Sequence, residues 1–324
     1  MPAIDLPLAQ LETYRSAAVA PDDFDERWAT TLAEARAVPM VPVVTPVTTG
    51  LKLVDVFDVM FPGFGGDPVR AWLVVPAGTA TRLPVVVTYQ GYGGGRGLPI
   101  EHLTWANAGY AQLFMDTRGQ GSSWGSGGHT DDPHGAGPSV PGFLLRGIES
   151  FETYYYRRLI VDAVRAVDAA RELPQVDPER VVVAGISQGG GLAIAAAALA
   201  DGVVAAMPDV PFLCDFARAV DVSTTTPYTE VARYLSVHRD RVATVFGTLN
   251  YVDGVHFAAR ATAPALFSVA LLDQTCPPSS VFGAYHAWQG EASIEVYPFN
   301  DHEGGQEHQV AVQLTWLQKR METL

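Results

Sequence analysis

The stretch RVVVAGISQGGGLAIAAAALA, Arg180–Ala200, decides how the rest of the chain is read. A β-branched run, Val181–Val183, enters Gly185-Ile186-Ser187-Gln188-Gly189 and passes without a linker into an alanine-rich segment. β-Branched residues favour strand and alanine favours helix, whereas a serine flanked by glycines suits the interior of neither. Gly185-x-Ser187-x-Gly189 between a strand and a helix is the pattern of a nucleophile elbow, a tight turn that lifts a serine hydroxyl above the end of a sheet. Side chains at 185 and 189 would collide with the neighbouring strand and helix, hence the glycines. The helix N-terminus beneath the serine favours developing negative charge. A glycine-rich turn with an incidental serine would carry the same five residues. The strand before, the helix after and the partners such a serine needs separate the two readings.

Working outward, apolar runs at 84–90, 110–116, 180–186, 204–210, 264–273 and 292–299 read as core strands. Helical stretches at 152–172, 188–200, 278–288 and 307–322 alternate with them. Continuous Val/Leu/Ala strands separated by helices predict a mainly parallel sheet covered on both faces. Upstream, 51–61 and 70–78 read as strands that extend one edge antiparallel, and 22–37 as a helix capped by Asp22 or Asp23. Two segments break the alternation: Gly121–Gly147, rich in glycine, serine and proline, and Asp215–Ala263, a helical excursion of the kind that forms lids or pocket walls. With no repeat or low-complexity linker, the expectation is a single α/β domain over 1–324. It carries an N-terminal extension over about 1–40 and an inserted excursion over about 215–263.

The 324 residues are 48% hydrophobic and 17% charged, which describes a chain with a large core and excludes disorder. A formal net charge of -14 with no basic block argues against nucleic-acid partners. The first thirty residues lack the basic start and apolar core of a signal peptide. The most apolar run, Gly191–Met207, is interrupted by Asp201 and too short to span a bilayer, so no membrane partner is expected. Asn107, Asn250 and Asn300 begin no glycosylation sequon. Cys214 and Cys276 are too few and too far apart for metal-type spacing and read as a reduced pair, the state expected of a cytoplasmic protein. No metal or cofactor is expected.

A serine nucleophile needs a base, and the base an orienting acid; in this architecture they follow in the order serine, acid, histidine. Asp273 ends the 264–273 strand and His302 follows the 292–299 strand by a short loop, so both fall where the order requires. Asp209 and Asp253 compete as acids. His129, His134, His238, His256, His286 and His308 compete as bases. The second donor to an oxyanion should come from the turn after an early strand. PVVVTYQGYGGG, Pro84–Gly95, supplies it, with the backbone N–H of Tyr92 beside that of Gln188. The alternative is a merely flexible glycine loop. Arg96 stands where a dinucleotide fingerprint would need its third glycine, and no Lys-Ser/Thr pair makes a phosphate loop.

RGQGSSWGSGG from Arg118, GISQGGG from Gly185 and HEGG from His302 together resemble the acetyl xylan esterase and cephalosporin C deacetylase family, carbohydrate esterase family seven. The likeness extends to ETYYYRRLIVDAVRA, VPFLCDFARAV, YVDGVHFAARATAPALFSVALLDQTCPP and PDDFDERW, and so covers nearly the whole chain. It implies an α/β-hydrolase in which Ser187, Asp273 and His302 remove acetyl groups from sugar hydroxyls, with Tyr92 and Gln188 as oxyanion donors. It also implies a cytoplasmic hexamer acting on small acetylated carbohydrates or cephalosporin-like esters. Gly185, Gly189, Arg118, Gly119, Gln120 and Glu303 then support the site, Arg118 by holding loops beneath it. One departure stands out: where the family has His-Gly-Tyr, this chain has Gln90-Gly91-Tyr92. If the loop lies as in the family, the Tyr92 ring walls the acyl side. Two alternatives remain: a short-chain acyl esterase or perhydrolase using the same residues, and a catalytically silent ligand-binding protein.

Overall fold

Nine strands form one sheet in the computed structural model, which describes residues 3–135 and 140–323. Met1, Pro2, residues 136–139 and Leu324 lie outside the described residues. They belong to the expected N-terminal extension, the Gly121–Gly147 segment and the end of the chain. The strands are β1 (Val43–Pro46), β2 (Val54–Pro62), β3 (Pro68–Pro76), β4 (Leu83–Tyr89), β5 (Ala111–Met115), β6 (Val176–Ile186), β7 (Val203–Asp209), β8 (Ala265–Ala270) and β9 (Ala292–Tyr297). Their order is β1-β2-β3-β5-β4-β6-β7-β8-β9, antiparallel as far as β5 and parallel from there to β9.

Central β4 and β6 are buried on both faces, which is why they read as unbroken valine runs. Val85, Val87, Val181 and Val183 face one layer, shared with Leu159, Val164, Leu192 and Ala196 of the Tyr155–Glu172 and Gln188–Leu199 helices. Val86, Val182, Ala184 and Met207 face the other, beneath Leu317 of the Gln306–Met321 helix. Burying a valine or leucine side chain contributes about 1.5–3 kcal/mol, so these two layers dominate the stability that fixes the strand ends in place.

The N-terminal helix runs Phe24–Arg36 and buries Phe24, Trp28, Leu32 and Ala35 along one stripe. Asp23 occupies its N-cap position, but its side chain does not cap the helix. Its carboxylate instead accepts from Arg27 and from the Tyr251 hydroxyl, tying this helix to the excursion. The excursion contains helices at Phe216–Val222, Tyr228–Val237, Val242–Asn250 and Gly254–Ala258. Asp253 caps the last of these through Val255 N and also accepts from Asp215 N and Phe216 N. Several expected boundaries move by a few residues, and two of the shifts bear on the site and the sheet. Strand β8 stops at Ala270, so Asp273 stands in the loop beyond it, and β6 starts at Val176, where Leu83 pairs with it across an irregularity.

Candidate active site

Ser187 stands between β6 and the Gln188–Leu199 helix with φ 58 and ψ -118, a strained conformation for a non-glycine residue. Three backbone bonds hold it there: Ser187 N donates to Asp209 O (2.9 Å), and Ser187 O accepts from Phe212 N (2.9 Å) and Gly191 N (3.1 Å). The glycines are required by contact. A Cβ on Gly185 would overlap the backbone of Gly189, and one on Gly189 would overlap the carbonyl of Tyr89.

The three residues expected to act together meet. His302 Nε2 lies 2.9 Å from Ser187 Oγ and His302 Nδ1 lies 2.9 Å from Asp273 Oδ2. A carboxylate only accepts, so Nδ1 carries the imidazole proton and Nε2 is left to accept from the Ser187 hydroxyl. Asp273 is fully buried, and its other oxygen accepts from Thr275 N and Cys276 N, both at 2.8 Å. The acid and base loops are also tied to each other, since Gln274 N donates to Asp301 Oδ1 (3.0 Å). Glu303 pins the base loop by accepting from Asn300 Nδ2 (3.0 Å) and Asp301 N (3.1 Å). Gly304 takes φ 58, and a side chain on Gly305 would strike the Tyr297 ring.

The competing residues are engaged elsewhere. Asp209 accepts from Gln309 Nε2 (3.0 Å) and Gln313 Nε2 (2.7 Å), and Asp253 is a helix cap. His134 meets Asp67, His256 meets Asn250 and His286 meets the carbonyl of Tyr14. His238 lies against Tyr234. His129 gives its backbone N–H to Asp116, and His308 sits on the Gln306–Met321 helix.

The glycine loop after β4 is fastened rather than flexible. Gly91 N donates to Gln90 Oε1 (2.8 Å), Gly93 N to Gln120 Oε1 (2.6 Å) and Gly94 N to Gly91 O (3.2 Å). Tyr92 O accepts from Trp124 Nε1 at 2.7 Å. Among the described residues no acceptor takes the Tyr92 N–H, so one unspent donor remains in a turn whose neighbouring N–H groups are engaged. The N–H of Gln188, first residue of its helix, likewise has no acceptor within that helix. The glycines are there because the Gly121–Gly128 strip lies on them. A Cβ on Gly94 would enter the Trp124 ring, and one on Gly95 would enter the Gly127–Gly128 backbone.

Gln90, the departure from the family motif, makes two bonds at once: Oε1 accepts from Gly91 N, while Nε2 donates to Gly95 O (2.9 Å). A neutral imidazole can likewise accept one bond and donate one, whereas glutamine cannot be protonated. Gln120 joins three parts of the site, since its Nε2 donates to Tyr155 Oη (2.9 Å) and Gln188 Oε1 (3.0 Å) while its Oε1 takes Gly93 N. Gln188 closes the circuit through Tyr156 Oη and Gln90 O. Below them Arg118 is fully buried. It forks onto Asp162 and reaches Asp67 and Asp132, and its carbonyl accepts from the Tyr155 hydroxyl. Gly119, at φ 62, packs against Asp132. Stripping such a buried ion from its partners costs about 3–5 kcal/mol, so Arg118 ties together the segments that carry Asp67, Asp132 and Asp162.

Sequence reasoning took Cys276 only as one of a reduced pair and did not place it at the site, where its sulfur lies within 4.8 Å of a carboxylate oxygen of Asp273 and a ring nitrogen of His302. Burial first, then the Asp273 charge, pushes its thiol well above the usual cysteine range. Both cysteines are free and buried. Nor did it single out Asp301 as the link between the acid and base loops. Its only signal was adjacency to His302.

A parallel sheet with a strained serine between strand and helix, hydrogen-bonded through histidine to a buried aspartate, defines an α/β-hydrolase. The comparisons narrow this. The model of the family "Acetyl xylan esterase (AXE1)" matches residues 1–320, and the chain belongs to that family; it is a carboxylic ester hydrolase. It is 36% identical to the acetyl xylan esterase from Paenibacillus sp. R4 (TM-score 0.88, covering 95% of this chain and 98% of that one). It is 32% identical to acetyl xylan esterase 1 from Thermoanaerobacterium sp. JW/SL YS485 (TM-score 0.87, covering 96% and 98%). It is 28% identical to the acetyl esterase Axe7A of Xylanibacter ruminicola, over 93% of this chain and 67% of that protein. An acylaminoacyl peptidase from Pyrococcus horikoshii, 19% identical with a TM-score of 0.59 over 84% of this chain and 42% of that one, shares the fold alone. Among the described residues no helix is long and apolar enough to cross a membrane.

Proposed function

We propose that Ser187 is the nucleophile, His302 the general base and Asp273 the orienting acid of a deacetylase acting on acetylated xylo-oligosaccharides. The observation that carries this is the unbroken chain of two 2.9 Å hydrogen bonds from Ser187 Oγ through His302 to Asp273. Ser187 Oγ attacks the acetyl carbonyl as its proton passes to His302 Nε2, and the backbone N–H groups of Tyr92 and Gln188 stabilise the oxyanion. His302 then returns the proton to the departing sugar hydroxyl, leaving acetyl-Ser187. Water, deprotonated by the same nitrogen, releases acetate.

Incubation with acetylated xylo-oligosaccharides should release acetate, and Ser187→Ala should lower that rate at least ~10³-fold. Comparable release by pure, folded Ser187→Ala would refute the assignment. We also infer a single-domain subunit, from the lack of repeats and linkers, and a cytoplasmic setting, from the two cysteines read as reduced and from family likeness. By family likeness alone we infer a hexamer and activity on cephalosporin-type acetyl esters. Light scattering that reports only monomer would remove the hexamer.

A further inference from the structure

The Tyr92 hydroxyl points into the excursion. It lies 2.8 Å from Glu230 Oε1 and 3.0 Å from Oε2, and it accepts from Gly142 N (3.0 Å) and Phe143 N (2.9 Å). A phenol has one proton to give and two lone pairs. Both lone pairs are taken by backbone N–H groups, so the proton has only Glu230 to go to. Glu230 belongs to the Tyr228–Val237 helix and is 8% exposed. The ring is held as firmly as the hydroxyl, edge-on to Phe143 (5.3 Å between centroids) and Phe212 (6.1 Å). Phe212 in turn gives its N–H to the carbonyl of Ser187.

We propose that Glu230 is a positioning residue for the oxyanion hole: by gripping the Tyr92 hydroxyl it fixes the direction of the Tyr92 N–H. This rests on the reading of that N–H as an oxyanion donor. The excursion is thereby a working part of the site rather than a passive wall. A second tie supports this, since Thr224 and Thr225 bind Gln274 beside the acid at 2.8 and 3.0 Å. Glu230 touches no reacting atom. Without it the phenolic proton loses its acceptor inside the protein, and the tilt of the Tyr92 peptide is left to Trp124 at its carbonyl and to the bonds of the neighbouring glycines. Displacing a catalytic group by about 1 Å costs on the order of 10²-fold in rate. The loss belongs in kcat, because the donor is needed where charge develops and not in the ground state.

The test is steady-state hydrolysis of an aryl acetate by wild type, Glu230→Ala, Glu230→Gln, Tyr92→Phe and the Tyr92→Phe/Glu230→Ala double variant, with Ser187→Ala alongside. Glu230→Ala should lose about 10- to 100-fold in kcat with KM within about threefold of wild type. Glu230→Gln keeps one acceptor for the phenol and should recover most of the loss. Tyr92→Phe should resemble Glu230→Ala, and the double variant should be no worse than the worse single one. Wild-type kcat in Glu230→Ala, a loss confined to KM, or additive losses in the double variant would overturn the proposal. If Glu230→Ala does not fold, unchanged kcat in Tyr92→Phe overturns it. Activity retained by Ser187→Ala would instead defeat the serine mechanism itself, so the two failures are distinguishable.

Discussion

Replacing Asp273 with asparagine changes no volume and reverses one hydrogen-bonding atom. The side chain then has two orientations. In one, its oxygen keeps Thr275 N and Cys276 N, and its NH2 faces His302 Nδ1. In the other, its oxygen faces His302 and its NH2 confronts two backbone donors. Leaving a buried donor unsatisfied costs about 1–3 kcal/mol, so the first orientation is favoured by roughly 2–6 kcal/mol. That orientation forces the proton onto Nε2, the nitrogen that must accept from Ser187 Oγ. The base is thus in the wrong tautomer, and kcat should fall by about 10⁴-fold, the scale seen when a triad aspartate is so replaced. Steady-state hydrolysis of an aryl acetate, normalised to folded protein by circular dichroism, reads the loss. Asp209→Asn is the control, since Asp209 meets Gln309 and Gln313 rather than a histidine. Asp273→Asn within about tenfold of wild type while Asp209→Asn is crippled would refute the reasoning.

Desolvation pushes the Asp209 carboxyl up to about 7, while Ser268, Gln309 and Gln313 pull it down. An unfolded carboxyl ionises near 4, so between about pH 4 and pH 7 the folded chain holds more protons, and stability falls as pH rises through that window. Asp209→Asn should therefore melt higher than wild type at about pH 8, with the gain shrinking toward pH 5; a pH-independent difference would contradict this. For Gln90→His, near-wild-type turnover is expected at about pH 8. Its acid limb should be steeper, because imidazole protonation near pH 6.5 removes the acceptor for Gly91 N. Superimposable pH profiles would show that this bond does not matter.

The central strands were legible because burial on both faces leaves an unbroken apolar run, and the elbow because its glycines lie within five residues of the serine they serve. β1 was missed. Val43–Pro46 is a short, largely exposed edge whose valines are broken up by Pro42 and Pro46, which read as loop. The glycines at 91–95 looked like flexibility because their cause lies some thirty residues on, where Trp124 and Gly127 rest against them. The Tyr92 ring, expected from sequence to wall the acyl side, has its hydroxyl anchored to Glu230. Its truncation would therefore remove that anchor together with the ring. Glu230 itself could not be seen. In YTEVARYLSV an acid between apolar residues has the look of a helix's solvent face, and only the fold turns it toward Tyr92.

The most direct test of the serine mechanism is to quench the reaction with an acetyl ester in acid during turnover and map the modified peptide by mass spectrometry. The account predicts one acetyl group on Ser187, accumulating when deacylation is the slower step and absent from Ser187→Ala. Trapping with a fluorophosphonate covers the case in which acylation is slower, and it should label the same residue. An adduct on any other residue, or an unlabelled Ser187 in an enzyme that is turning over, would contradict it.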